Sequence, residues 1–367
     1  MEKQSGVEVM EVKELADFYK DRKVLVTGHT GFKGSWLVLW LKHLGADVCG
    51  IALDPRTSND NYVLANVEKD IRDYREDIRN LEGVQAIIQK EKPELLFHLA
   101  AQPIVLDSYQ DPVYTYGTNV MGTVNLLEAF RMSESLKTGV FITTDKCYEN
   151  IEKSYNYKET DPMGGHDPYS ASKGAAELAI GSYRRSYFTD MGKRIASVRA
   201  GNVIGGGDWS PYRLIVDIIK ALENEKEIEI RNPNAVRPWQ HVLEPLGGYL
   251  LLAAKMQLEQ KYDEAWNFGP ERANIVSVKE LLTEVIRHYG KGQWKDVSDK
   301  EKLHEAKLLA LDITKAKTKL NWHPKLNLQE TVKYTIDWYK NYKSKDVKNL
   351  CVNQINDYTN KWDKALH

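Results

Sequence analysis

Short apolar runs alternate with stretches of helical periodicity along the first two hundred residues. Lys23-Val-Leu-Val-Thr27 is a β-branched run that leads straight into Gly28-His-Thr-Gly31-Phe-Lys-Gly34. Helical spacing then begins at Ser35 and runs through Trp36 and Trp40 to Leu44, where Gly45 suits a helix C-cap. The pattern predicts a second strand over 47–53, ending at Asp54-Pro55, and further strands over 94–101, 140–144 and 194–199. Helices are predicted over 122–132 and 169–187 between them. Strands alternating with helices predict a parallel sheet covered on both faces.

A glycine-rich turn between the first strand and first helix makes this an α/β chain with a Rossmann-type, doubly wound parallel sheet. Beyond Gly205 the character changes. Pro211, Pro233, Pro238 and Pro245 punctuate shorter elements, with helices predicted over 211–224, 242–258, 277–289 and 328–343. The expected division is a dinucleotide-binding domain over 1–200 and a smaller mixed α/β substrate lobe over 201–367, with the two free to interleave.

Composition narrows the function. The chain is 42% hydrophobic and 28% charged, which supplies a core for two packed lobes. A formal net charge of −1 provides no global field for nucleic acid or an anionic membrane, so an anionic ligand must be caught locally. Cys49, Cys147 and Cys351 show neither metal-ligand nor disulfide-framework spacing, so no metal is expected and a cytoplasmic setting fits. The apolar run 36–41 is far shorter than the ~20 residues of a membrane span, and the first residues lack a signal-peptide core.

The G-x-x-G-x-x-G loop sits after a strand and before a helix, where glycines admit a pyrophosphate to the helix N-terminus. The spacing is shifted from G-x-G-x-x-G, and a ligand-free turn is the bland alternative. Asp54 could hold the adenosine ribose and favour NAD, although Lys33 and Arg56 could instead receive a 2′-phosphate. Asp77 and Ile78 are placed under the adenine. Tyr169 and Lys173 stand one helical turn apart, on one face. A tyrosine with a free pKa of about 10 is a poor base, and a nearby ammonium favours its phenolate. Elsewhere the same spacing usually marks a solvated helix face. Thr144-Asp145-Lys146 ends a predicted strand, so it stands at the cleft rim. It suits a cap or turn, but Asp-Lys also adds an acid and a base beyond what alcohol oxidation requires.

The segments VTGHTGFKGSWL, TDKCYEN, GGHDPYSASKGAAE and RAGNVIGGGDW, with others between Lys23 and about Asn341, resemble the extended short-chain dehydrogenase/reductases. Within them the resemblance is to the CDP-glucose 4,6-dehydratase branch, where Asp-Lys replaces the Asp-Glu of dTDP-glucose dehydratases. It implies an NAD-dependent closed redox cycle on CDP-D-glucose, giving CDP-4-keto-6-deoxy-D-glucose. Tyr169, helped by Lys173 and Thr144, would take the 4-hydroxyl proton during oxidation at C4. Lys146 would remove the C5 proton, Asp145 would protonate the departing 6-hydroxyl, and hydride would return to C6.

The implied cofactor set is Gly28, Thr30, Gly31, Phe32, Lys33, Gly34, Asp54, Asp77, Ile78, Ala100, Ala101 and Asn119, with Tyr169 and Lys173. The implied substrate set is Gln102, Asn202, Arg213, Arg237 and His241, while Trp239, Trp266 and Trp322 are read as core. The resemblance also implies a homodimer or homotetramer paired through the helices at about 119–132 and 169–187. Leu106-Asp107 departs from the branch, which has an arginine there. The roughly 20 residues before Lys23 and the tail from Lys345 are expected to be solvated or to cover a subunit edge. The nearest alternatives are a dehydratase or 4-epimerase for another nucleotide sugar, then a non-catalytic NAD-binding protein.

Overall fold

Seven strands form one sheet in a computed structural model that describes residues 10–151, 155–298 and 309–364. They are β1 (Lys23–Thr27), β2 (Asp47–Ala52), β3 (Arg72–Arg75), β4 (Leu95–His98), β5 (Thr138–Ile142), β6 (Arg194–Arg199) and β7 (Ala265–Asn267). Their order is β7-β6-β5-β4-β1-β2-β3, and every neighbouring pair is parallel. The interior strands are buried on both faces, which is why they read as continuous apolar runs. Strand order reverses between β1 and β4, and a doubly wound sheet opens its ligand crevice at such a reversal.

The expected elements are present with shifted ends. β4 stops at His98 because the next backbone donors, Leu99 and Ala100, turn onto Thr27. Residues 99–103 are thereby freed as a loop over the sheet edge. β5 starts earlier and ends at Ile142, and Thr144 caps a short turn, Asp145–Cys147, by accepting from Lys146 N at 3.4 Å. The helix Pro168–Tyr183 passes into a wider turn at Arg184–Phe188. The helix Val12–Tyr19, β3 and β7 are among the elements that carried no legible signal. β3 reads Arg-Asp-Tyr-Arg, too polar to stand out as a strand.

β7 and the helix Leu243–Glu259 both come from beyond residue 200, yet both pack into the sheet lobe. Four two-stranded ribbons complete the second lobe, among them 156–157 with 310–311.

The described parts of both terminal segments pack against the body of the protein. Leu15, Phe18 and Tyr19 are buried, and Tyr19 Oη donates to Leu250 O at 2.9 Å. In the tail helix Val347–Lys364, Cys351, Ile355, Tyr358 and Trp362 are buried against the first Rossmann helix, Phe32–His43. That helix is apolar all round from Trp36 to Leu41 and therefore needs cover on two sides. Residues 1–9 lie outside the described residues.

Beneath the cleft lies a buried polar network. Glu177, on the helix Pro168–Tyr183, forms a two-pronged pair with Arg199 at the end of β6, at 3.0 and 2.8 Å. Glu177 also accepts from Ser197 Oγ at 2.7 Å and Thr143 Oγ1 at 2.5 Å. Arg199 donates to Tyr148 Oη and to Glu159 O, and Tyr148 Oη donates to Asn267 of β7. Burial alone would raise the Glu177 carboxyl, but the guanidinium and the two hydroxyl donors hold it below the usual carboxylate range. Removing one partner strands the other charge in a dry interior. Glu177→Ala is expected to destabilise the protein by about 3–5 kcal/mol, measured as a lower denaturant midpoint, whereas replacing both partners with apolar residues should recover much of the loss.

Candidate active site

The cleft at the strand-order reversal encloses about 560 Å³ and runs from Asp54 and Asp77 at one end to Tyr169, Lys173 and Arg213 at the other. Its floor is the glycine loop. Gly28 has φ +72°, and a Cβ there would stand 2.6 Å from Ala100 N. A Cβ on Gly34 would stand 2.1 Å from Gly28 O. Only glycine allows β1, the loop 99–103 and the first helix to meet this closely. The helix begins at Phe32, so its unpaired N–H groups face the cleft, as an anion requires. The floor therefore fits a dinucleotide pyrophosphate.

Most of the expected cofactor residues line this cleft: Gly28, Thr30, Gly31, Phe32, Lys33, Gly34, Asp54, Asp77, Ile78, Ala100 and Ala101. Thr30 Oγ1 donates to Leu53 O and holds the loop against β2. Asp54 is largely exposed and accepts from Arg75 Nε at 2.9 Å, and Asp77 pairs with Arg79 at 2.7 Å. Lys33 does not reach toward the ribose. Its ammonium lies among Asp145, Arg213, Lys173 and Lys146, and burial with the three cations brings its pKa down to about 8 against the pull of Asp145. Arg56 also turns away from a 2′-phosphate role, pairing with Asp107 at 3.5 Å. Asp107 is one of the two residues that depart from the branch pattern.

Asn119 does not line the cleft. It is 1% exposed and lies behind the cleft wall, bonding Gln102 N and O and Ser172 Oγ at 2.9–3.0 Å. It fastens the loop 99–103 to the helix that carries Tyr169. A buried asparagine there needs several partners, and backbone supplies them.

At the reacting end, Tyr169 is 8% exposed and lines the cleft with Thr144. Burial holds the Tyr169 pKa above its ordinary value, although the Lys146 and Arg213 charges pull against it. Lys173, 6% exposed, donates to Ile142 O at 3.4 Å, and burial brings it down to about 8 against the pull of Glu177. Asp145 is 1% exposed. Its Oδ1 accepts from Thr144 Oγ1 at 3.0 Å and from Lys146 Nζ at 3.3 Å. Tyr169, Lys173, Asp145 and Lys146 thus share one wall, built from the end of β5 and one turn of helix.

The expected substrate residues divide. Asn202, in a left-handed turn at φ 46°, and Arg213 line the cleft, with Asp208 4.0 Å from Arg213. Gln102 lines it too, but its amide is turned inward and satisfied by Ile104 and Thr115, so its side chain is not free to bind. Arg237 lies on the ribbon strand 236–238, away from the cleft lining. His241 is fully buried between Trp36 and Tyr334, and its burial drops the imidazole pKa to about 3. It is a core residue, as are Trp239, Trp266 and Trp322. Gly201, Asp208 and Ser210 line the cleft without having been singled out. The run of glycines and Asp208 after β6 was the available signal.

Among the described residues no cluster could hold a metal ion, and no helix is long and apolar enough to cross a membrane.

Comparison with known proteins places this geometry. The family described as GDP-mannose 4,6 dehydratase matches residues 25–335. CDP-glucose 4,6-dehydratase of Salmonella typhimurium is 44% identical over 349 residues, covering 93% of this chain and 97% of that protein. The Thermus thermophilus UDP-glucose 4-epimerase, solved as a complex with NAD, superposes with a TM-score of 0.73 at 26% identity. That alignment covers 87% of this chain and 99% of the epimerase. The Streptomyces venezuelae dTDP-glucose 4,6-dehydratase, 23% identical with a TM-score of 0.74, shares the fold over 87% of this chain and 97% of its own. The chain belongs to the GDP-mannose 4,6 dehydratase family of extended short-chain dehydrogenase/reductases.

Proposed function

We propose that this protein is an NAD-dependent CDP-glucose 4,6-dehydratase, a hydro-lyase producing CDP-4-keto-6-deoxy-D-glucose. The observation that carries this reading is the Asp145–Lys146 contact on the wall shared with Tyr169, Thr144 and Lys173. Alcohol oxidation uses Tyr169, Thr144 and Lys173 alone. The added acid and base equip the cleft for elimination. The close relative named for CDP-glucose supports the nucleotide.

NAD, held over the glycine loop, would accept hydride from C4 and return it at C6. The chain's own groups do the proton work. Tyr169 takes the 4-hydroxyl proton, with Thr144 beside it on the same wall. With its proton passed to Asp145 across their contact, Lys146 takes the C5 proton, made acidic by the neighbouring C4 ketone. Asp145 gives a proton to the 6-oxygen, so water leaves as the C5–C6 double bond forms. The Arg213 guanidinium suits the substrate diphosphate, with Asn202 beside it. Three free, buried cysteines suit a reducing, cytoplasmic setting.

The same reading includes a homodimer, the unit from which a homotetramer would be built. Met121 and Met132 flank the helix Gly122–Met132, and Leu178 projects from Pro168–Tyr183; each is more than half exposed. Large apolar side chains at these positions suit pairing between copies. Light scattering should give twice or four times the protomer mass, and Leu178→Glu with Met121→Glu should reduce it. A wild-type protein that stays monomeric at micromolar concentration contradicts this.

The central test is incubation with CDP-glucose, and separately with dTDP-, UDP- and GDP-hexoses, with NAD. Base-induced absorbance of a 4-keto-6-deoxy product and loss of one water by mass are expected with CDP-glucose. Lys146→Ala should stop the reaction after C4 oxidation. Turnover of another nucleotide alone would sink the CDP assignment.

A pH profile tests the Lys173 role. Its ammonium is present below about pH 8 and lost as the pH rises through that value. The basic limb of kcat/KM for C4 oxidation is therefore expected at or below about 8. Lys173→Arg, which stays charged, should remove that limb while slowing the reaction. An unchanged limb in the arginine variant would assign it to another group.

A further inference from the structure

Gly201 follows β6 and lines the cleft, but its backbone lies outside the left-handed region that favours glycine. The reason for a glycine here is space. A Cβ on Gly201 would stand 1.8 Å from Asp145 Oδ2, 2.1 Å from Cγ and 2.7 Å from Oδ1, so it would occupy the volume of the whole carboxylate.

Neither partner has an easy retreat. Gly201 O accepts from Gln240 Nε2 at 3.1 Å, which ties the glycine backbone to the second lobe. Asp145 is 1% exposed, with Oδ1 held by Thr144 and Lys146. Its other oxygen, Oδ2, is buried against Gly201 and has no hydrogen-bond partner among the described atoms. A buried polar atom left unpaired calls for an explanation. Here it is an acid oxygen whose other partners are committed elsewhere, beside the cleft that the substrate enters.

We propose that Gly201 is a positioning residue for the elimination step, admitting the Asp145 carboxylate to the cleft wall and leaving Oδ2 to serve the departing 6-hydroxyl. This rests on the dehydratase reading. In that step the Lys146 ammonium first passes a proton to Asp145; Lys146, now the neutral amine, takes the C5 proton, and the C5–H electron pair becomes the C5–C6 π bond. The C6–O bond breaks, and the oxygen leaves as water with the proton from Asp145. A methyl group at residue 201 displaces the acid from this geometry without touching Tyr169 or Lys173. C4 oxidation and dehydration should therefore separate.

Gly201→Ala is expected to keep C4 oxidation within about threefold in a single turnover, read as absorbance of reduced cofactor at ~340 nm, and to lose water about 100-fold more slowly, the usual size of a general-acid contribution. C5 proton exchange with solvent deuterium should persist, because Lys146 remains. A second measurement does not depend on activity. If Cβ and carboxylate compete for one volume, Gly201→Ala lowers Tm in the wild-type background and leaves it unchanged in an Asp145→Ala background. Unimpaired dehydration by Gly201→Ala, or an equal Tm loss in both backgrounds, overturns the proposal. A wild-type protein that dehydrates no nucleotide sugar strikes the functional reading instead, and the Tm pair still decides whether Gly201 makes room for Asp145.

Discussion

Glu177 and Arg199 face each other in the dry interior below the cleft, and both catalytic supports are tied to that pair. Glu177 lies one helical turn beyond Lys173 and accepts from Thr143, the residue before Thr144. Arg199 ends β6, two residues before Gly201, and reaches Tyr148 and the loop that returns through Glu159. A buried ion pair adds little net stability over apolar packing, because desolvation offsets its attraction. What it supplies is register. The helix carrying Tyr169 and Lys173, the end of β5 and the end of β6 meet in the arrangement that satisfies both charges and their hydroxyl partners. Asn267 of β7 joins through Tyr148, so the second half of the chain is bound to the same point.

Above that pair the cleft concentrates cations in a chain with almost no net charge. Lys33, Lys146, Lys173 and Arg213 line one end, with Asp145 and Asp208 among them. Burial does most to lower the proton affinity of Lys33, and the neighbouring cations lower it further. The same field pulls the Tyr169 phenol down against its burial and attracts a diphosphate. On the proposed reading, one local charge arrangement would suit substrate capture and offset part of the effect of burial on the tyrosine. The cost is borne by groups such as Asp145, whose second oxygen has no partner.

Much of this was legible in the order of residues. Periodicities of two and 3.6 located the interior strands and main helices, because elements buried in a doubly wound fold carry long apolar runs. The glycine loop, Tyr169 with Lys173, and Thr144-Asp145-Lys146 were readable because each is local: a turn, one helical repeat, three successive residues at a strand end. Asp54, Asp77, Asn202 and Arg213 also line the cleft where expected.

Tertiary structure alone decided the contacts between residues distant in the chain. His241 and Asn119 carry polar side chains suited to binding, yet packing places the first in the core and the second behind the wall. Gln102 spends its amide on its own loop. The helix at 12–19 and the tail helix became core because the first Rossmann helix is apolar on every side and must be covered. The fit of Gly201 to Asp145 joins residues 56 positions apart in the chain, through the neighbouring strands β5 and β6. Local sequence determines which side chains each short segment offers, because its periodicity and turn chemistry act within a few residues. Which of those side chains face the cleft is set by burial and steric exclusion between segments, and those forces exist only once the chain has closed on itself.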